Sequence, residues 1–249
     1  MAQKQWRLEI KNGISTPWRS AFCEEFQIFE DHSDNEVPYW YAVSPYANQH
    51  DTIDEAAKVF LSISFILNGV LKISSQGNSN APFVFGKVYC EDPYIQGRSV
   101  SLQDDIIENP FSSIARKSNS TPNTLVSILM NEAVTNEDLR MLCLATGLIS
   151  TTTNIERMLC WRTLYNLLDD MKAINKNQKL NFQFDDKQLN LFTYTCNNRA
   201  VLGIAARHGQ NLKFKVSPTL KPLTLDESID LILKQLHAFC VAWLGITFL

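Results

Sequence analysis

Asn197, Asn198, Arg199, Arg207 and His208 fall within the segment Cys196–Gly209 and bring together two guanidiniums, an imidazole and two side-chain amides. Those groups can grip an anion and exchange a proton near neutral pH. Between Asp186 and Asp226 the chain has no acid, yet Lys187, Arg199, Arg207, Lys213, Lys215 and Lys221 all lie there. An acid-free basic segment inside a chain of net charge −3 points to an anionic ligand, and phosphate is the commonest. A structural reading of the same residues also stands. Arg207 and His208 complement the negative end of a helix whose first residue beyond the end is Gly209.

Other clusters read as architecture. Glu30, Asp31, His32, Asp34 and Glu36 crowd oxygen donors beside one imidazole, but the glycine a calcium loop needs is missing. This is a solvated turn between strands. His50 and Asp51, with Asp54 and Glu55, belong to a helix start, where acids are favoured. His237 sits among Leu236, Ala238 and Phe239 as a packed imidazole. The six cysteines form no C-x-x-C pair and have no close histidine partner beyond Cys240 near His237, so they read as reduced, packed thiols and not as zinc ligands. Phosphate-binding, dinucleotide, nucleophile-elbow and H-E-x-x-H motifs are absent. No metal and no cofactor is expected.

The elements that must position these residues divide the chain. Residues 1–110 carry 8 basic and 15 acidic side chains, and residues 111–249 carry 15 basic and 11 acidic. In the acidic part Trp6, Leu8 and Ile10 alternate with charged neighbours, Tyr39–Val43 is a second strand and Phe83–Tyr89 a third. Thr52-x-x-Glu55 caps an apolar helix over about 53–72. The composition of 111–123 is that of a linker. Beyond it only helices are predicted: one after Thr121-Pro122, one after Thr135, one over 154–174 with Trp161, Leu164, Tyr165, Leu168 and Met171 on one face, one over 185–208, and one opening at Thr224-x-x-Glu227. The fold class is therefore α+β: an acidic α+β domain (1–110) with a small sheet and one long helix, then an all-α antiparallel helix bundle (124–249).

The apolar runs Val59–Ile73 and Leu236–Leu249 are each shorter than the roughly 20 residues that span a bilayer. The N-terminus lacks the apolar stretch of a signal peptide. A cytoplasmic protein without a membrane partner is expected.

The helix ending in Arg207, His208 and Gly209, a loop with Pro218 and Pro222, and a capped helix finishing in Ala242, Trp243 and Leu244 together resemble the C-terminal part of HEPN-type helical domains of prokaryotic defence and stress proteins. The resemblance covers roughly residues 121–249 and none of 1–110. It implies an Arg and a His projecting from one helix toward a dimer axis and cleaving RNA without metal, with His208 in the histidine position. Arg207 or Arg199 would then neutralise the phosphorane, while Asn197, Asn198, Lys213 and Lys215 hold substrate. The chain departs from the pattern where the family's arginine should lie, five to seven residues before His208, at Val201, Leu202 and Gly203. Arg199 is nine residues from His208, roughly 13 Å along an unbroken helix, and a break at Gly203 would be needed to join them. Two functions stay open. One is an RNA-directed HEPN-like protein, a nuclease or binder, working as a homodimer through its C-terminal helices. The other is a non-catalytic interaction or dimerisation module whose acidic domain docks a protein partner.

Overall fold

The computed structural model describes residues 5–11, 25–31, 39–76, 83–90, 97–99, 105–111, 124–207 and 220–246. The fold is α+β. Strands β1 (Trp6–Ile10), β2 (Gln27–Asp31), β3 (Tyr39–Val43), β4 (Phe85–Cys90) and β5 (Arg98–Ser99) form one antiparallel sheet in the order β2-β3-β1-β4-β5. Period-two alternation buries Trp6, Leu8 and Ile10 and leaves Arg7 and Glu9 on the opposite face. Leu8 pairs with Ala42 on one side and Val88 on the other, and all three are fully buried.

Helix α1 (Ile53–Ser74) opens at Thr52, whose Oγ1 accepts the Glu55 amide proton (3.3 Å) and donates to Glu55 Oε2 (2.8 Å). Phe60 meets Phe26 edge-on at 6.4 Å, Asp54 pairs with Arg98 of β5 at 2.8 Å, and the Asn68 amide bonds both backbone groups of Phe83. These contacts seat the helix on the sheet. The run Val59–Ile73 thus lies in a helix of 22 residues, so the expectation that it falls short of a bilayer is corrected. The helix is long and apolar enough to span one, but 83% of its most apolar window is buried inside the protein, and the apolar surface is used in packing.

Helices α2 (Leu125–Thr135) and α3 (Glu137–Gly147) follow. The cap of α2 is Thr124, in a reciprocal pair with Ser127, and Thr121 and Pro122 lie outside the described residues. Asn136 caps α3 through the Leu139 amide (3.1 Å). Buried Arg140 donates to the carbonyls of Ala133 (3.0 Å) and Val134 (3.2 Å), satisfying the end of α2. Helices α1 and α3 touch backbone to backbone. A Cβ on Gly69 would come within 1.8 Å of the Cys143 carbonyl oxygen, and one on Gly147 within 1.9 Å of that of Phe65.

The chain divides into two compact units, one of residues 1–71 with 80–147 and one of 72–79 with 148–249. Helices α2 and α3, expected with the C-terminal helices, group with the sheet, and the glycine crossing is the physical reason. The stretch 112–123, read as a linker, lies outside the described residues.

The second unit contains α4 (Asn154–Asn177), α5 (Asp186–Asn197), the single-turn α6 (Arg199–Leu202) and α7 (Leu225–Trp243). Thr153 with Glu156 and Thr224 with Glu227 form capping boxes. The stripe Trp161, Leu164, Tyr165, Leu168 and Met171 is buried, with Trp161 and Tyr165 stacked on Phe192 of α5 at 6.4 and 6.3 Å. Ile232, Leu233, Leu236 and Cys240 bury the facing stripe of α7, and His237 Nδ1 lies 2.9 Å from the Ile73 carbonyl oxygen. The packed imidazole is as expected.

Candidate functional site

The helix predicted over 185–208 is broken twice, which corrects that element. Asn198 is extended (φ −96°, ψ 102°), and its side-chain oxygen accepts the Ala200 amide proton at 3.0 Å, ending α5 and capping α6. Gly203 then adopts φ 60°, ψ −125°, a conformation natural only to glycine, and a short 3-10 turn over Gly203–Ala205 follows. The break at Gly203 lies where the sequence allowed one. Ala206 is extended, and the Arg207 amide returns to donate to the Cys196 carbonyl at 2.9 Å. Arg207 is therefore no helix-end residue complementing a dipole. It is pinned beside the end of α5 and across α4.

There its guanidinium carbon lies 3.9 Å from the centre of the Tyr165 ring, and Nη2 lies 3.5 Å from Asp169 Oδ2. Burial, with Asp169 adding to it, raises the Tyr165 phenol above its ordinary pKa, so the ring stays a neutral platform for the cation. Between α4 and residues 204–207 opens a cavity of about 560 Å³, lined by Met158, Leu159, Trp161, Arg162, Tyr165 and Asn166 on one wall and by Cys196 and Ile204–Arg207 on the other. Burial pushes the Cys196 thiol up to about 12. It is protonated at neutral pH and is a poor nucleophile. No carboxylate and no imidazole lines the cavity among the described residues.

The rim is apolar and wet. Ile204 is 80% exposed, Leu159 57% and Ile155, one turn before Leu159 on α4, 70%.

The other sequence-chosen residues do not converge here. Arg199 is exposed at the first position of α6 and does not line the cavity. Asn197 and Asn198 are buried, the second as a cap, and Asn197 Oδ1 and Asn198 Nδ2 have no hydrogen-bond partner among the described residues. His208, Lys213 and Lys215 lie outside the described residues. The five described cysteines are free and buried, and no group of three metal-binding side chains occurs among the described residues.

No family model matches the chain, and no curated protein or solved structure matches it either.

Sequence reasoning missed Arg162, Asp169 and the exposed pair Leu159 and Ile204. A signal existed for α4: Ile155, Leu159 and Arg162 recur at i, i+4 and i+7, off the stripe that fills the core.

Proposed function

We propose that the helical unit is a protein-interaction module, and that its cleft between α4 and residues 204–207 docks a partner without doing chemistry on it. The observation that carries this reading is the exposed apolar rim of Leu159 and Ile204 around the cavity, continued along α4 by exposed Ile155. Arg207, the one guanidinium of the sequence-chosen pair that reaches the cleft, is positioned there by Asp169 and Tyr165. Buried, free thiols accord with a cytosolic setting for this function.

The double substitution Leu159→Asp with Ile204→Asp tests the reading. Both side chains are exposed, so unfolding in urea should stay within about 0.5 kcal/mol of the wild type. A loss beyond about 2 kcal/mol would make them part of the core and end the proposal.

RNA-directed, HEPN-like activity is the second reading, favoured by Arg162 and Arg199, which are exposed and carry no ion pair among the described residues. It requires a gel shift with single-stranded or structured RNA that weakens steadily with salt, and EDTA-resistant cleavage that His208→Ala abolishes. Absence of binding at low salt removes it.

A further inference from the structure

We infer that the cleft takes a peptide segment of the partner in which apolar side chains flank a carboxylate, and that Arg162 and Arg207 grip that carboxylate. The inference rests on the interaction-module reading and names the chemistry of what docks.

Charge comes first. Among the described residues two guanidiniums line the cavity and no acid does. Arg162 is exposed and has no ion pair among the described residues. Arg207 meets one carboxylate oxygen at 3.5 Å, a long contact, and its side chain remains 43% exposed. A guanidinium carries five donors in a planar fork, so most of those on Arg207 remain for a ligand. An incoming carboxylate is the natural complement, held by charge-assisted hydrogen bonds.

Ring faces decide between peptide and nucleic acid. Single-stranded nucleic acids bind by stacking bases on open aromatic faces. Here Trp161 is only 8% exposed and packs on Phe192, and the Tyr165 ring is covered by the Arg207 guanidinium. The groups left to meet a ligand body are aliphatic: Met158, Leu159 and Ile204. Those suit Leu, Ile, Met or Phe side chains.

Extent decides between peptide and small molecule. The cavity falls within the range of roughly 300–1,000 Å³ typical of ligand pockets. A compound confined to it would leave Ile155 in water, whereas the apolar strip from Ile155 through Leu159 continues along α4 beyond the cavity lining. A segment lying along α4 covers both.

Selection of a displayed random dodecapeptide library against the full chain tests this, followed by fluorescence anisotropy of one enriched, fluorescein-labelled peptide. The enriched sequences should carry Asp or Glu between apolar residues. Arg162→Glu should weaken that peptide at least about 10-fold, with partial recovery in Arg162→Lys and recovery when the peptide's acid is changed to Lys. Lys234→Glu, on the exposed side of α7, should leave affinity unchanged. Peptides that need Leu159 and Ile204 but show no acid preference, or bind Arg162→Glu as well as wild type, overturn the carboxylate inference while leaving the module reading intact. Failure to select any peptide that Leu159→Asp abolishes overturns both. A labelled single-stranded RNA 12-mer that competes for the same residues overturns it in favour of nucleic acid.

Discussion

Arg207 reaches the cleft because of one glycine. At φ 60° and ψ −125° Gly203 turns the chain so that the Arg207 amide can return to the Cys196 carbonyl, placing the guanidinium between Tyr165 and Asp169. Among the described residues nothing lies within 4 Å of where a Cβ would sit at position 203, so Gly203→Ala meets backbone strain. Its expected cost is about 1–2 kcal/mol of unfolding free energy in urea, together with loss of the cleft's outer wall. An unchanged midpoint would mean that this turn is not held as described. The ion pair with Asp169 is half-exposed on both sides and contributes at most about 1 kcal/mol. Its consequence is positional: it keeps the guanidinium over the ring.

At the level of elements, the same residue type does opposite work in the other unit. Gly69 and Gly147 let α1 and α3 approach until carbonyl oxygens stand where Cβ atoms would be. Gly69→Ala should therefore cost about 2–3 kcal/mol or more by forcing two helices apart, against the smaller penalty at Gly203, and calorimetry of the two variants side by side checks the order. Two helix starts were legible in the sequence, since Thr52 and Thr224 with their third-position acids cap as read, whereas the Thr153 and Glu156 box emerged only in the structure. The buried stripe of α4 was legible as well. The division of the chain was not, because a backbone-to-backbone crossing leaves only two isolated glycines in the sequence. The break at Asn198 was equally hidden: apolar residues at Val201, Leu202 and Ile204 continue a helical pattern, and Asn becomes a cap only once its side chain is seen on the Ala200 amide. The outward apolar line Ile155 and Leu159 is readable in the sequence at i, i+4 spacing, beside a charged segment downstream whose chemistry is the more conspicuous signal.

For the molecule as a whole, buried titratable groups set a pH profile. Burial lowers the Lys72 ammonium to about 8, with its Nζ donating to the Ile149 carbonyl at 2.6 Å. Burial raises the thiols of Cys160 to about 11 and of Cys196 and Cys240 to about 12. Between the folded value of Lys72 and its ordinary value of 10.5 the unfolded chain holds more protons, so stability rises with pH from about 8. Above the ordinary thiol value of 9.0 the folded chain holds more protons than the unfolded one, and stability falls. The lysine's gain is cancelled by the three thiols by about pH 9, so the two trends place a shallow stability maximum at about pH 8.5. Urea unfolding from pH 7 to 11 should show it, with a rise of about 0.3 kcal/mol from pH 7 to the maximum that vanishes in Lys72→Met. A monotonic fall from pH 7 would contradict the burial of that ammonium.

If the rim of the cleft docks a partner, Leu159 and Ile204 touch another protein in the cell. A photo-crosslinking amino acid installed at position 159 or 204 of the full chain in living cells tests it most directly. The same discrete protein adduct is expected from both positions, and none from position 234 on the exposed side of α7. Adducts to RNA, or no adduct from either rim position, would contradict it.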